Sequence, residues 1–463
     1  MNLTTTSAPT GTAPGPKNSF PLGNLRAFRA DPLQFVYQCA GKYGDLAGVD
    51  MGPRTLFIAS HPELAQEVLV NQRETYIKMQ RPDGKPVGLQ LILGNGLVTN
   101  TDPASWLVQR RMMQPMFHRR EIAAMGGKIQ AAGQRLLANW QTAPRPGEPI
   151  NVAQEMMQVT LDIITSTMFS ANVLAQASEV GPAVSTAAHF TFGRETNPFS
   201  LPLSWPTPAN RRFAQAREYL DGLIYRLIEE RRTSGQQFGD LLDMLLAAQD
   251  EETGRGMSDQ QLRDEVITIF AAGHETTSNA LSWTWHLLAQ HPHVRQRLQK
   301  ELDDVLGGRT PGVEDLAALP YTQAVLEESL RICPPVPAVP RQAAHDTVLA
   351  GFPIPAGSRI IVSIYNIHRH PACWPDPETF NPERFLPGHA ERPHRLAFMP
   401  FGAGPRLCIG NHLAMIEGTL LLAMIAQKYE LEPVPGHPVV PEVAITLRPK
   451  YGLLMTRRAR GAH

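Results

Sequence analysis

The run F-G-A-G-P-R-L-C-I-G at residues 401–410 constrains this chain more than any other stretch. Its glycines permit tight or left-handed backbone, and Pro405 fixes its neighbour. Residues 411–428 have apolar side chains at helical spacing, so the run predicts a turn that leads into a helix. The positive helix N-terminus would favour a thiolate at Cys408. Ordinary burial of a small apolar side chain is the alternative, and further motifs must decide between the two. The glycines are Gly402, Gly404 and Gly410.

The whole ten-residue pattern resembles the haem-binding loop of the cytochrome P450 family. Phe401 lies seven residues before the cysteine, and Arg406 lies two before it. The resemblance implies that Cys408 is the thiolate ligand of the iron in haem b, iron protoporphyrin IX, and that Phe401 and Arg406 contact this cofactor. It also implies the cytochrome P450 fold, which is mainly α with a small β-rich lobe.

Ser258 begins the longest run with helical spacing, and no residue stops it before Pro292. Gln261 completes a capping box, and the run is long enough for roughly 50 Å of helix. Its middle, A-A-G-H-E-T-T at residues 271–277, places glycine, an acid and β-branched hydroxyls where a stable helix prefers leucine and alanine. Such local weakness in a long helix indicates a function, and Thr276 can bond back to a backbone carbonyl.

The A-G-x-E-T-T pattern resembles the oxygen-activating helix of the family. The resemblance implies that Thr276 supports oxygen activation and that Glu275 relays protons from solvent. Ala272 and Gly273 are small enough for a flat haem and dioxygen to approach the backbone. His274 is expected to be a polar residue on the side of the helix rather than an iron ligand. The alternative is a glycine-kinked core helix with a buried acid.

Trp106 and Arg110 follow a good helix start at Asp102-Pro103, and their i, i+4 spacing places them on one face. An indole N–H and a guanidinium together suit a carboxylate, although such a pair is also common in ordinary packing. The W-x-x-x-R pattern resembles the haem-propionate clamp of the family. The resemblance also gives Arg341, in P-P-V-P-A-V-P-R, the role of reaching a propionate.

A predicted helix over residues 321–333 carries Glu328 and Arg331 at i, i+3 spacing. The same chain contains N-P-E-R-F at residues 381–385, which includes Arg384. These motifs resemble the buried ion-pair triad that fixes the haem loop in the family, so they predict a structural role.

Arg111, Arg119 and Arg120 form a local basic cluster, although the chain has 43 basic and 43 acidic residues. Charge clusters are usually solvated, but in the family the equivalent helix lies on the cysteine side of the haem. We hypothesise that the cluster binds a ferredoxin or flavodoxin. The chain has no flavin or iron–sulfur motif, so we expect its electrons to come from this partner and a separate NAD(P)H reductase. The sequence contains no nucleic-acid-binding motif.

Three segments are expected to border the substrate. By order, residues 76–96 and 189–208 match the loops that cover it in relatives, and residues 443–456 resemble the closing hairpin whose tip borders the pocket. Apolar side chains of the second loop would contact an apolar substrate or a membrane surface, with ordinary packing as the alternative. They are Phe190, Phe192, Phe199, Leu201 and Trp205.

Residues 1–20 are rich in Thr, Pro and Gly and predict a flexible tail, and residues 21–463 predict a single haem domain. The tail has no apolar run long enough for a signal peptide or membrane anchor. The four cysteines have no paired spacing that would indicate disulfides. These features predict a cytoplasmic protein, and we expect it to be a monomer.

Together the motifs predict a monooxygenase that activates O2 with two externally supplied electrons and hydroxylates or epoxidises a hydrophobic small molecule. A fatty acid or terpenoid is favoured, and a steroid or macrolide stays open. A peroxide-driven enzyme often replaces the acid and the threonine, whereas this chain keeps Glu275 and Thr276. A haem-based gas sensor or carrier without turnover is the alternative from another class.

Overall fold

The computed structural model describes residues 11–17, 23–52, 55–81, 83–142, 147–170, 177–195, 197, 200–250, 254–388 and 394–461. These residues divide into two compact units. The smaller unit comprises the described parts of Met1–Lys85, Val336–Thr379 and Glu391–Cys408, and the larger unit comprises those of Pro86–Pro335, Phe380–Ala390 and Ile409–His463.

Helices make up most of the regular structure in the described part of the chain. They are α1 Leu25–Ala30, α2 Pro32–Tyr43, α3 Pro62–Gln66, α4 Gln90–Leu93, α5 Pro103–Met113, α6 Arg119–Ala124, α7 Gly126–Thr142, α8 Val152–Met168, α9 Ala177–Glu195, α10 Pro208–Ser234, α11 Leu241–Ala247, α12 Asp259–Gln290, α13 Pro292–Leu306, α14 Pro320–Ile332, α15 Ile364–Ile367 and α16 Asn411–Lys428.

The strands are short and lie in small sheets. They are β1 Leu46–Asp50, β2 Thr55–Ala59, β3 Tyr76–Ile77, β4 Ile150–Asn151, β5 Ala338–Ala343, β6 Thr347–Leu349, β7 Phe352–Ile354, β8 Arg359–Ser363, β9 Tyr429–Pro433, β10 Pro441–Val443, β11 Leu447–Pro449 and β12 Leu454–Ala459.

The smaller unit is built on a five-stranded sheet in the order β1-β2-β8-β5-β3, in which only β2 and β8 run parallel. Successive side chains of β2 point to opposite faces, so Phe57 and Ile58 enter different apolar clusters. The sheet is therefore buried on both sides. Within the predicted N-terminal tail, Pro14 accepts a hydrogen bond from the backbone N–H of Gly48 in β1 at 2.8 Å. Most of that tail lies outside the described residues.

In the larger unit, α12 packs against α8, α10, α14 and α16. It begins as predicted, because the Ser258 hydroxyl accepts the backbone N–H of Gln261 at 3.2 Å and caps the first turn. The helix is continuous to Gln290, immediately before Pro292 of the next helix. No helix in the described part of the chain is both long and apolar enough to cross a membrane.

Three sequence predictions about loops were wrong in part. Residues 189–195 belong to α9 rather than to a loop, because Phe190 stacks on Phe213 of α10 with ring centroids 4.3 Å apart and nothing breaks the helix earlier. The segment 76–96 contains β3 and α4. The hairpin spans residues 441–449 rather than 443–456, with β10 and β11 paired from Pro441 opposite Pro449 to Val443 opposite Leu447.

Candidate functional site

The Cys408 loop is shaped by two glycines in left-handed backbone. Gly402 has φ +75° and Gly404 has φ +72°, conformations that other residues rarely adopt. A Cβ on Gly404 would also lie 2.1 Å from the carbonyl oxygen of Leu69. The loop folds back on itself, since the backbone N–H of Cys408 donates to the carbonyl of Phe401 at 3.0 Å.

The third glycine of the motif is different. Gly410 has φ −89°, which any residue adopts, and no heavy atom outside its neighbours lies within 4 Å of a Cβ placed there. Left-handed backbone is therefore found at Gly402 and Gly404, whereas Gly410 lies in a turn with negative φ. The helix after the loop is confirmed, because α16 begins at Asn411. Cys408 itself is exposed, whereas Cys39 is buried.

A buried histidine holds the start of the loop. The Nε2 atom of His368 accepts the backbone N–H of Met399 at 2.9 Å, and its ring stacks on Phe398 with centroids 5.2 Å apart. Because Nε2 accepts here, this imidazole is neutral with its proton on Nδ1. His368 lies about forty residues before the cysteine, and the sequence carried no signal that it would contact the loop.

The structure brings Arg341, a predicted propionate ligand, near Arg406, a predicted haem contact, in the smaller unit. Burial, with the nearby Arg406 charge as a second cause, lowers the pKa of Arg341 to about 10. Burial also lowers the pKa of Arg406 to about 10. Arg341 donates to the carbonyl of Pro340 at 2.8 Å, which fixes its guanidinium. A buried and a half-buried cation whose charges act on each other favour an anionic ligand.

Trp106 and Arg110 lie one turn apart on α5, which is capped as predicted by Asp102 accepting the backbone N–H of Ser105 at 2.8 Å. The indole N–H of Trp106 donates to the backbone carbonyl of Leu97 at 3.1 Å. This contact uses the single donor of the indole and anchors the segment before α5. The predicted donation from the Trp106 indole to a propionate therefore does not fit this structure, and propionate binding by Arg110 stays a prediction.

The middle of α12 presents a strip of small residues. Ala272 is exposed and Gly273 and Thr276 are half-buried, although residues 262–270 and 277–285 are buried. The Thr276 hydroxyl donates to the carbonyl of Ala272 at 2.7 Å, which is the predicted back-bond. Gly273 also has a packing role, because a Cβ there would lie 2.5 Å from Cδ1 of Ile164 on α8.

Glu275 points away from this strip, into the protein. Burial raises the pKa of Glu275, while a hydrogen bond from Thr446 and the charge of Arg448 act in the opposite direction. The Thr446 hydroxyl donates to Oε1 of Glu275 at 2.7 Å. Sequence reasoning missed Thr446, since it lies 171 residues away in a hairpin.

His274, which was expected to be a polar residue on the side of the helix, is buried. Burial lowers the pKa of its imidazole to about 4, so the ring is neutral near pH 7. Its ring lies beside Phe270 with centroids 5.9 Å apart, and its backbone carbonyl accepts the hydroxyl of Thr160 on α8 at 2.9 Å. These contacts make His274 part of the packing between α12 and α8.

The three arginines of the predicted basic cluster have different surroundings. Arg111 forms an ion pair with the buried carboxylate of Asp250 at 3.1 Å. Arg119 and Arg120 are exposed at the first two positions of α6. Cations are disfavoured at a helix N-terminus, so these two residues are placed against the local helix dipole.

A second group of ligand-type side chains lies in the smaller unit. Asp45, His61 and His370 have ligand atoms within 4.8 Å of one another. The Nδ1 atoms of the two imidazoles accept the backbone N–H groups of Glu63 and Ala372, which places the ring proton of each on Nε2. The Nε2 atom of His370 lies 3.0 Å from Asp45 Oδ1, so hydrogen bonding explains this group.

The residues present fit a haem. In the smaller unit, a cysteine in a loop held by left-handed glycines accompanies the buried Arg341 and the half-buried Arg406, which suit propionates. In the larger unit, the strip at Ala272 and Thr276 interrupts the burial of a long core helix where small side chains allow a flat ring to approach.

Comparison with known proteins agrees with this fit. Residues 13–455 match the family model described as Cytochrome P450. Cyclooctat-9-en-7-ol 5-monooxygenase of Streptomyces melanosporofaciens is 38% identical over 429 residues, which are 92% of this chain and 90% of that protein. Pentalenene oxygenase of Streptomyces avermitilis is 34% identical over 444 residues, 94% of each chain. The crystal structure of the cytochrome P450DA heme domain has a TM-score of 0.87 at 29% identity and covers 97% of this chain and 98% of that one.

Matches of this extent define the class of the protein as a haem monooxygenase. The chain belongs to the cytochrome P450 family, as its motifs predicted. Its cofactor is a haem, its oxidant is O2, its electrons come from a redox partner, and it oxygenates a hydrophobic small molecule. A non-catalytic gas sensor or carrier has no support in relatives that are named as a monooxygenase and an oxygenase.

Proposed function

We propose that Cys408 is the thiolate ligand of haem b and that Arg341 and Arg406 bind its propionates, with Arg110 as a further ligand. The observation that carries this proposal is the Cys408 loop. Its left-handed glycines and the bond from Cys408 N–H to the Phe401 carbonyl at 3.0 Å hold an exposed cysteine in a fixed place. A thiolate donates more charge to iron than an imidazole does, which suits O–O cleavage.

When bound, the haem supplies the binding and reductive activation of O2. The reaction puts one oxygen atom into the substrate and reduces the other to water with two electrons and two protons. In this proposal Glu275 accepts a proton from solvent at its carboxylate and passes it toward Thr276. The Thr276 hydroxyl, held 2.7 Å from the Ala272 carbonyl, then orients the final donor.

We further propose a terpenoid substrate rather than a fatty acid. Two relatives carry names that state their chemistry, one acting on cyclooctat-9-en-7-ol and the other on pentalenene. We also propose that a separate ferredoxin or flavodoxin, reduced by its NAD(P)H reductase, delivers the electrons, and that both structural units serve one haem domain.

The proposal is tested by spectroscopy and by product analysis. The wild-type protein expressed with ample haem should give a reduced carbon monoxide adduct of the thiolate type, and Cys408→His should give one of the imidazole type. Cys373→Ser, which changes a cysteine outside the loop, should match the wild type. A thiolate-type adduct that survives in Cys408→His would contradict the assignment.

Thr276→Ala tests the oxygen-activating helix. We expect this variant to consume electrons at near the wild-type rate while releasing hydrogen peroxide and losing most of the terpenoid product. The matched control is Thr277→Ala, whose hydroxyl is bonded to the Gly273 carbonyl at 3.3 Å on the buried side. Equal product yields from wild type and Thr276→Ala would refute the role of Thr276.

A further inference from the structure

A chain of two hydrogen bonds ends on Glu275. The side-chain amide of Asn279 donates to the Thr446 hydroxyl at 3.2 Å, and that hydroxyl lies 2.7 Å from Oε1 of Glu275. All three side chains are buried, with exposures of 4% for Asn279, 4% for Thr446 and 9% for Glu275. Burial leaves these hydrogen bonds with little competition from water.

Both hydrogen bonds of this chain have a defined direction. One lone pair of the Thr446 hydroxyl accepts the Asn279 amide N–H, and the hydroxyl hydrogen is directed to Oε1 of Glu275. Oε1 of Glu275 accepts in this arrangement. A proton on Oε1 would oppose the hydroxyl hydrogen, so the contact favours the carboxylate form of this acid.

The position of the Thr446 hydroxyl is set by backbone contacts of the hairpin. The next residue, Leu447, donates its N–H to the carbonyl of Pro335 at 2.8 Å and accepts the indole N–H of Trp283 at 3.0 Å. Trp283 belongs to α12, the helix that carries Glu275. The residue that follows Thr446 is therefore held both by α12 and by Pro335, which follows α14.

We propose that Thr446 is the positioning residue of the proton-relay acid, holding Glu275 Oε1 as an acceptor so that the carboxylate is ready to take a proton from solvent. This inference rests on the proposed function, in which Glu275 relays protons. Thr446 acts through Glu275 and does not touch the reacting atoms.

The charged groups around Glu275 are few. Arg448 on β11 is the charge that acts on it, and Arg448 is itself paired with Glu442 at 3.0 Å and donates to the Ser185 hydroxyl at 2.8 Å. His189 lies 3.8 Å from Glu442. These groups are common to every variant below, so differences between variants report on Thr446.

The first test compares Thr446→Val, which removes the hydroxyl at nearly constant volume, with Thr446→Ser, which keeps it. We expect Thr446→Val to form product about tenfold more slowly near pH 7 and to shift the acidic limb of its pH profile to higher pH, because its Glu275 ionises less readily. For Thr446→Ser, the acidic limb of the pH profile should lie at the same pH as in the wild type. In a Glu275→Gln background, Thr446→Val should have no further effect on the limb.

The second test does not depend on turnover. Because the pKa of Glu275 is raised in the folded protein, its contribution to stability is largest below the ordinary carboxyl pKa and is lost as the pH rises. Without the Thr446 hydroxyl the pKa of Glu275 in the folded protein would be higher still, so this loss of stability would continue to a higher pH. From about pH 5 to about pH 8, the melting temperature of Thr446→Val should therefore fall more steeply than that of Thr446→Ser, and Glu275→Gln should abolish the difference.

Two results would overturn the proposal: a Thr446→Ser variant that behaves like Thr446→Val in both tests, or a Thr446→Val variant with the wild-type limb and slope. Failure of the proposed function is distinguishable from either. In that case the wild type would lack the thiolate-type carbon monoxide adduct or would form no oxygenated product, while the melting slopes would still report on the bond between Thr446 and Glu275.

Discussion

Glu328 and Arg331 are joined by two hydrogen bonds of 2.6 and 2.8 Å, and neither side chain is exposed to solvent. Glu328 also accepts the backbone N–H of Asn381 at 2.8 Å, and its Oε1 lies 3.5 Å from Nε of Arg384. One buried carboxylate thus connects α14 to the segment that follows residue 380. The geometry matches the predicted triad.

Removing the charge of the Glu328 carboxylate should lower the free energy of unfolding. Glu328→Gln keeps the shape of the side chain but leaves the buried Arg331 guanidinium without its counter-charge, so we expect a loss of about 3–5 kcal/mol in the free energy of unfolding. Urea denaturation measures it. Asp304→Asn, which breaks the exposed pair between Lys300 and Asp304, is the control and should cost about 1 kcal/mol or less. Similar losses in the two variants would argue against the triad as a structural element.

Alanine substitutions at two glycines of the cysteine loop can be compared directly. Gly404→Ala should lower both the melting temperature and the haem content, because its backbone is left-handed and the new Cβ would meet the Leu69 carbonyl. Gly410→Ala should leave both close to wild type, since its φ is −89° and the space is open. Haem per protein by absorbance, with thermal unfolding, measures the effect. Equal losses in both variants would contradict the distinction.

Glu265 should make stability depend on pH. It is fully buried, its Oε2 accepts the backbone N–H of Leu97 at 2.9 Å, and burial raises its pKa to about 8. The protonated form is therefore favoured in the folded protein, so this group stabilises below its ordinary pKa and the stabilisation is lost as the pH rises to about 8. Glu265→Gln should flatten the fall of melting temperature over this range.

The control for that experiment is Glu121→Gln, which changes an exposed carboxylate in α6 and should leave the slope of melting temperature against pH as in the wild type. A Glu265→Gln variant with the wild-type slope would show that Glu265 is not the group responsible.

The exposed arginines at the start of α6 can be tested by reduction kinetics. Arg119→Glu with Arg120→Glu should slow electron transfer from a ferredoxin by about tenfold at low salt and weaken its dependence on ionic strength, because opposite charges steer the partners together. Arg212→Glu, at an exposed position of α10, is the control. An unchanged ionic-strength dependence in the double variant would remove these residues from the docking surface.

Local patterns predicted several elements well. The apolar spacing of residues 411–428 matches α16, and the caps at Ser258 and Asp102 mark the starts of α12 and α5. Each of these signals depends on contacts within one or two helical turns, which the sequence displays directly. The prediction was wrong for residues 189–195, because the stack of Phe190 on Phe213 that favours the helix there involves a second helix.

Residue types at fixed short spacings were enough to establish the family, the cysteine loop and the long helix with its acid and threonine. Three contacts became visible only after folding: Thr446 reaches Glu275 from 171 residues away, the Trp106 indole is bonded to Leu97, and Arg341 lies near Arg406. Such contacts depend on how helices and hairpins pack, and packing is set by the whole buried core rather than by any one segment.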